Sequence, residues 1–252
     1  MTSIGLLGAG NIARILAQHQ NGFRISGVFD RHKDRRDRIA ASTGAISYST
    51  FEEFLAGDYN SVVEVASISA VRQYAAQILG RGKDLIILSV GGLADKPFKE
   101  KLVWMAQDRG CKIRIPSGAL FGLDNMKIGR ISPLDRLTLR TTKPPHSLQL
   151  TVTERTCLFK GNMSECIRQF PKNANVAVAL GLAAGHEVAV ELWVDPAVEH
   201  NTHEIFASGE FGEMKTLIRN VPSPDNPATS YLAALSIVTL LNELQQPLIV
   251  GT

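Results

Sequence analysis

Short apolar runs alternate with longer amphipathic segments through the first half of the chain. The runs occupy residues 4–7, 25–29, 61–65, 85–90 and 112–115, and helix-like segments fill 12–20, 35–42, 70–81 and 98–109 between them. This alternation predicts βαβ units and a parallel sheet with helices on both faces. After Pro116-Ser117-Gly118-Ala119 the pattern changes to longer alternating runs at 134–142, 148–153, 187–194, 203–207 and 214–219. Within 187–194, Val188, Val190, Leu192 and Val194 share one face, which predicts a mainly antiparallel sheet with one covered side. Residues 173–182 read as an apolar helix with Asn173 or Asn175 near its start. The turn-rich stretch Pro222-Ser223-Pro224-Asp225-Asn226-Pro227 leads into a helix across 229–243 and a short β-type run at 247–250. That last helix is apolar enough to return to the first domain.

The first run feeds Gly8-Ala9-Gly10-Asn11-Ile12-Ala13. A strand entering a glycine turn that opens a helix is the sequence form of a dinucleotide loop. Gly8 permits the turn, Gly10 lets a pyrophosphate approach the backbone, and Ala13 keeps helix and strand close. The helix start at Asn11 and Ile12 offers N–H groups to the phosphates. A glycine turn with no ligand shares this spacing, but a second strand ends at Asp30. An acid placed about 20 residues past the turn suits an adenosine ribose hydroxyl. Asp30 favours NAD, while the basic run Arg31-His32-Lys33-Asp34-Arg35-Arg36 leaves NADP open. The expected architecture is α/β: a Rossmann-type dinucleotide-binding domain, residues 1–117 plus 222–252, with an inserted α+β domain, residues 118–221.

Composition narrows the class without naming a reaction. The chain has 252 residues, 44% of them apolar and 20% charged, with a net charge of +3. The basic residues are scattered, which argues against nucleic-acid or membrane-surface binding. A core strand starting at Ser3 leaves no expected secretory leader, and no apolar run has the length of a bilayer span. Cys111, Cys157 and Cys166 are an odd, widely spaced set, neither a disulfide framework nor a zinc pattern, as expected for thiols in a reducing cytoplasm.

The chemistry-bearing stretch is Asp195-Pro196-Ala197-Val198-Glu199-His200-Asn201-Thr202-His203-Glu204, with two histidines and three acids in ten residues. Histidine exchanges protons near neutrality, and a neighbouring acid such as Glu204 or Asp195 can orient it. The spacing of His200 and His203 also suits metal ligands, but no third ligand accompanies them and no metal is expected. A solvated polar loop remains the bland reading of the residues alone.

The chain resembles the L-aspartate dehydrogenase family over nearly its full length. The likeness rests on the glycine loop, on Gly82-Lys83-Asp84-Leu85-Ile86-Ile87-Leu88-Ser89-Val90-Gly91, and on Ile115-Pro116-Ser117-Gly118-Ala119. It continues in Phe170-Pro171-Lys172-Asn173-Ala174-Asn175-Val176-Ala177, Asp195-Pro196, Asn201-Thr202-His203-Glu204-Ile205, Gly209-Glu210-Phe211-Gly212-Glu213-Met214 and Asn220-Val221-Pro222-Ser223-Pro224. Gly92 and Ile68 depart from the family's usual residues near the nicotinamide side of the pocket. The resemblance implies NAD(P)-dependent oxidation of L-aspartate to iminoaspartate. That product hydrolyses to oxaloacetate and ammonia or feeds quinolinate formation on the route to NAD. It implies His203 as the catalytic acid–base, and Ala119 and Asn175 as cofactor contacts beside Gly8, Gly10, Asn11, Ile12 and Asp30. Lys160, Lys172 and Arg72 are visible candidates for the substrate carboxylates, and none is assigned. The half-covered sheet suggests a homodimer. Another two-domain NAD(P) oxidoreductase, of imine or sugar dehydrogenase type, and a non-catalytic NAD sensor fit the domain plan as well.

Overall fold

A computed structural model describes residues 1–170, 174–224 and 226–251. The chain divides into two compact units, one of Met1–Gly118 with Ala233–Ile249 and one of Ala119–Leu232 with Val250–Thr252.

The first unit begins β1 (Thr2–Leu7), α1 (Asn11–Gln18), β2 (Phe23–Phe29), α2 (Lys33–Thr43), β3 (Ile46–Tyr48) and α3 (Phe51–Ala56). It continues β4 (Ser61–Glu64), α4 (Ile68–Gly80), β5 (Asp84–Ile87), α5 (Lys96–Arg109) and β6 (Ile113–Arg114). The six strands form one sheet in the order β3-β2-β1-β4-β5-β6, all parallel. The order reverses between β1 and β4, so a crevice opens beyond their carboxyl ends. Burial on both faces explains the unbroken apolar runs: Ile4, Leu6, Ile25, Val28, Val62, Val63, Ile86 and Ile87 are buried.

Two elements of this unit escape the apolar pattern. β3 is only three residues long, and α3 is six, too short for a periodic signal. Local capping defines α3. Thr50 Oγ1 accepts from the Glu53 N–H at 3.2 Å, and Glu53 Oε2 accepts from the Thr50 N–H at 3.3 Å. The Tyr59 ring then lies against the sheet over Gly5 and Gly27, and its hydroxyl donates to the Phe54 carbonyl. A Cβ on Gly27 would sit 2.8 Å from the Tyr59 ring and 2.7 Å from Tyr48. Those strand glycines make room for aromatic cover.

The second unit holds α6 (Leu123–Met126), β7 (Leu134–Lys143), α7 (Pro145–Leu148), β8 (Thr156–Asn162), α8 (Met163–Gln169) and α9 (Ala174–Ala184). Then come β9 (Ala189–Val194), β10 (Thr202–Gly209), β11 (Gly212–Arg219), β12 (Pro222–Ser223) and β13 (Asn226–Ser230). The main sheet runs β11-β10-β7-β9-β8, and only β7 with β9 is parallel. Its covered face packs Leu139, Val190, Leu192 and Ile205 with Ala177 and Leu180 of α9. The other face is polar: Arg140 pairs with Glu191 at 2.7 Å and with Glu204 at 3.7 Å.

Three sequence expectations need correction. Residues 148–153 form no strand. Pro144-Pro145 starts the short α7, and Gln149 takes a left-handed φ of 56°, so the pairing strand begins at Thr156. The run 247–250 is also not a strand: Pro247 has no N–H to give a ladder, and Leu248, Ile249 and Val250 are exposed. The second crossing between units falls at Ala233 rather than 222, because β12 and β13 form their own ribbon and Ser230 donates to Asn220 at 2.6 Å. From Ala233 onward, α10 (Tyr231–Glu243) belongs to the first unit. Asn173 and Lys172 lie outside the described residues.

Gly27→Ala overpacks the Tyr48 and Tyr59 rings and should cost about 1–3 kcal/mol. A lowered urea midpoint, with an undiminished slope, is the expected result. An unchanged midpoint removes the close approach as the reason for glycine there.

Candidate active site

In the first unit, Gly8 has φ 104°, and a Cβ on it would come within 2.9 Å of Ala66. Only glycine satisfies both conditions. Its N–H donates to Phe29 O at 2.8 Å, tying the loop to the end of β2. Asp30 completes the loop: Oδ2 accepts from the Ala9 N–H at 2.8 Å and Oδ1 from the His32 N–H at 2.8 Å. Gly10 caps α1, and a Cβ there would meet nothing within 4 Å, so the helix start is open to a ligand.

Gly8, Gly10 and Asp30 line one cavity of about 180 Å³ together with Arg35, Ser69 and Tyr74. The residues present fit a dinucleotide: an open helix start, a glycine turn and a carboxylate at the topological switch point. Arg31 and Arg35 line the same cavity as Asp30. A larger depression of about 910 Å³ lies at the amino-terminal edge of the sheet, around Ser3, Arg24 and Ser61. Ligands of open α/β sheets bind at the opposite edge, so size alone does not mark the site.

Behind the cavity sits Glu64, wholly buried at the end of β4. Its Oε1 accepts from the N–H groups of Ala66 and Ser67, each at 2.8 Å, and from Ser89 Oγ at 2.9 Å. Its Oε2 accepts from the Ser89 N–H at 3.0 Å. Burial pushes this carboxyl up, against the opposing effect of those donors. The Ser89-Val90-Gly91-Gly92 segment forms a buried 3₁₀ turn, and Gly92 packs against Val71. Sequence reading missed Glu64, although an acid ending an apolar strand was a visible signal.

In the second unit, His203 is the second residue of β10 and stands directly opposite Thr141 of β7. It is 6% exposed, and its Nδ1 lies 2.9 Å from Thr141 Oγ1. Burial pushes the imidazole down to about 4, and the Lys143 ammonium adds to that shift. The ring is therefore neutral at pH 7, with Nε2 left for a ligand. Lys143 lies two residues beyond Thr141, on the same face, and burial pushes its ammonium down. Neither expected acid orients His203. Glu204 points to the opposite face towards Arg140, and Asp195 accepts from the Ala197 N–H at 2.8 Å and faces Arg155 at 3.8 Å. Thr141 takes the orienting position.

His200 is exposed in the loop before β10. Among the described residues no cluster of three or more His, Cys, Asp or Glu could hold a metal. Ala119 is half-buried, and its carbonyl accepts from Asn220 Nδ2 at 3.2 Å. Asn175 is half-buried in the first turn of α9. Asn11 and Ile12 begin α1, with Ile12 buried. Lys160 faces Glu191 at 3.6 Å on the outer side of the sheet, and Arg72 lies exposed on α4.

A parallel-sheet nucleotide unit joined to a sheet unit carrying a buried, neutral histidine defines a two-domain nicotinamide-dependent oxidoreductase. The comparisons specify it. Residues 4–116 match the family model for the homoserine dehydrogenase NAD-binding domain, and residues 124–244 match that for the aspartate dehydrogenase C-terminal region. An L-aspartate dehydrogenase of Methanospirillum hungatei is 54% identical, with all of both chains covered. That of Methanothermobacter thermautotrophicus is 38% identical over 99% of this chain and 98% of its own. The crystal structure of aspartate dehydrogenase from Thermotoga maritima superposes with a TM-score of 0.85 at 30% identity, covering 100% of both chains. The chain belongs to the L-aspartate dehydrogenase family.

The His203 environment has a stability signature. In the unfolded chain the imidazole returns to about 6.5 and takes up a proton that the folded site refuses. Stability is full above about pH 6.5 and falls as pH drops towards 4, by about 3 kcal/mol at most. Urea unfolding at pH 7 and pH 5 should show this loss, and His203→Gln should flatten it. An equal slope in both proteins rules out a neutral buried imidazole.

Proposed function

We propose that this chain oxidises L-aspartate to iminoaspartate with NAD or NADP, and that His203 is its acid–base group. The observation that carries this is the neutral imidazole fixed through Nδ1 by Thr141, in a chain whose full-length relatives are named L-aspartate dehydrogenase.

The reaction breaks the Cα–H bond and forms a C=N bond. The amine must first be neutral, because an ammonium has no lone pair to supply that double bond. With Nδ1–H donating to Thr141 Oγ1, Nε2 presents a lone pair that takes the proton from the substrate ammonium. In the reverse direction the same atom returns it. The nicotinamide, when bound, accepts the hydride. Gly8, Gly10 and the α1 start at Asn11 and Ile12 hold the pyrophosphate through backbone N–H groups. Asp30 takes the ribose. Ala119 and Asn175 are assigned as further cofactor contacts. Iminoaspartate then hydrolyses to oxaloacetate and ammonia or feeds quinolinate and NAD formation. Three free cysteines suit a reducing cytoplasm. The polar outer face of the second sheet, with Phe206 beneath Arg136, Arg140 and Lys215, is assigned to a homodimer. Among the described residues no helix is long and apolar enough to cross a membrane.

His203→Ala should lower kcat for L-aspartate by about 10²–10⁴-fold. Cofactor affinity, followed by fluorescence of the reduced nicotinamide, should hardly change. Equal losses of cofactor binding and turnover give His203 a structural role instead. Turnover of another amine or hydroxy substrate in place of L-aspartate overturns the substrate assignment.

A further inference from the structure

We propose that Lys143 is the residue that receives a carboxylate of the substrate beside His203. The proposal rests on the L-aspartate reading above, and the test below separates the two.

Placement comes first. β7 ends at Lys143, and side chains two apart on a strand share a face. Thr141 stands opposite His203, so Lys143 is the diagonal neighbour of the imidazole, at about 7–8 Å by ordinary sheet geometry. An extended lysine and a four-carbon diacid both span that gap. The ammonium is near enough to act on the imidazole electrostatically.

Its charge has no local answer. Among the described residues no carboxylate forms an ion pair with Lys143. The acids around it are used elsewhere. Glu191 and Glu204 serve Arg140 on the opposite face, and Asp195 serves the Ala197 N–H and Arg155. Lys143 is half-buried, and burial alone accounts for its lowered value. A cation partly withdrawn from water without a carboxylate partner is less well solvated than a free one, and an arriving carboxylate offsets that loss. Asn201, two residues before His203, has a buried Oδ1 with no hydrogen-bond partner among the described residues. The start of β10 thus sets an unanswered acceptor and a neutral base near an unanswered cation. L-aspartate carries the complementary set: N–H donors, a proton to lose and two carboxylates.

The other visible cations do not offer this. Lys160 has its side chain 75% exposed and faces Glu191, so its charge is already solvated and paired. Arg72 is an exposed residue of α4.

The test uses the full chain with NAD bound, and compares wild type, Lys143→Met and Lys143→Arg. Succinate, a dicarboxylate with no amine to oxidise, is titrated by calorimetry, and KM and kcat for L-aspartate are measured alongside. Loss of a charged hydrogen bond in Lys143→Met should weaken succinate by about 10- to 100-fold. KM should rise in step, kcat should change less, and Lys143→Arg should recover part of the loss. Succinate should raise the His203 pKa, read by NMR, in wild type and not in Lys143→Met, a shift that a merely structural lysine would not give. Unchanged succinate affinity in a folded Lys143→Met protein overturns the proposal, as does absence of succinate binding to wild type. Succinate binding that needs Lys143, in a protein that does not oxidise L-aspartate, upholds the carboxylate site and refutes the L-aspartate reading.

Discussion

Registration between β7 and β10 fixes what the second unit can do chemically. Side chains alternate with a period of two, so a slip of one residue would send His203, Ile205 and Ala207 to the polar face and Glu204 and Phe206 into the core. The covered face specifies register strongly, because Leu139, Val190, Leu192 and Ile205 must meet α9. His203 is carried to its place by the packing of apolar neighbours. The same registration puts Thr141 across from it, and it selects Lys143 rather than Lys160 as the cation on that face. Hydrophobic burial and site construction are here one constraint.

The first unit solves a different problem with charge. Loops at the carboxyl edge of a parallel sheet have backbone N–H groups with no strand to pair them. Two carboxylates take up this role. Asp30 fastens the glycine loop through Ala9, and Glu64 gathers Ala66, Ser67 and Ser89 from two adjacent strand ends. The cost falls on Glu64, whose complete burial raises its pKa despite four donors. A side chain so placed ties the segments after β4 and β5 together.

The alternating apolar runs made the parallel sheet, the glycine turn and Asp30 legible, because each is a local signal. The antiparallel unit was less legible. Its strands at 187–194 and 203–207 were readable from alternation, but 148–153 alternates equally well and is not a strand. Pro145 and the left-handed Gln149 decide the matter there, through backbone geometry that hydropathy does not record. Thr141 and His203 are 62 residues apart, so no window along the chain could pair them. Neighbouring acids looked like the orienters of His203 because they are close in sequence. Alternation along β10 puts Glu204 on the other side of the sheet.

A base beside a cation is a poor arrangement on its own, since the Lys143 ammonium depresses the imidazole. It has a use when the substrate is an anion. Burial and the ammonium both keep His203 unprotonated well below neutrality, the form that the proposed base role requires. A carboxylate bound at Lys143 as proposed would cancel much of the ammonium's field. Under the proposed roles the imidazole would then become a stronger base as the substrate amine arrives. Burial supplies the protonation state, and substrate charge supplies the driving force. Neither effect requires a neighbouring acid, and Glu204 and Asp195 face arginines instead.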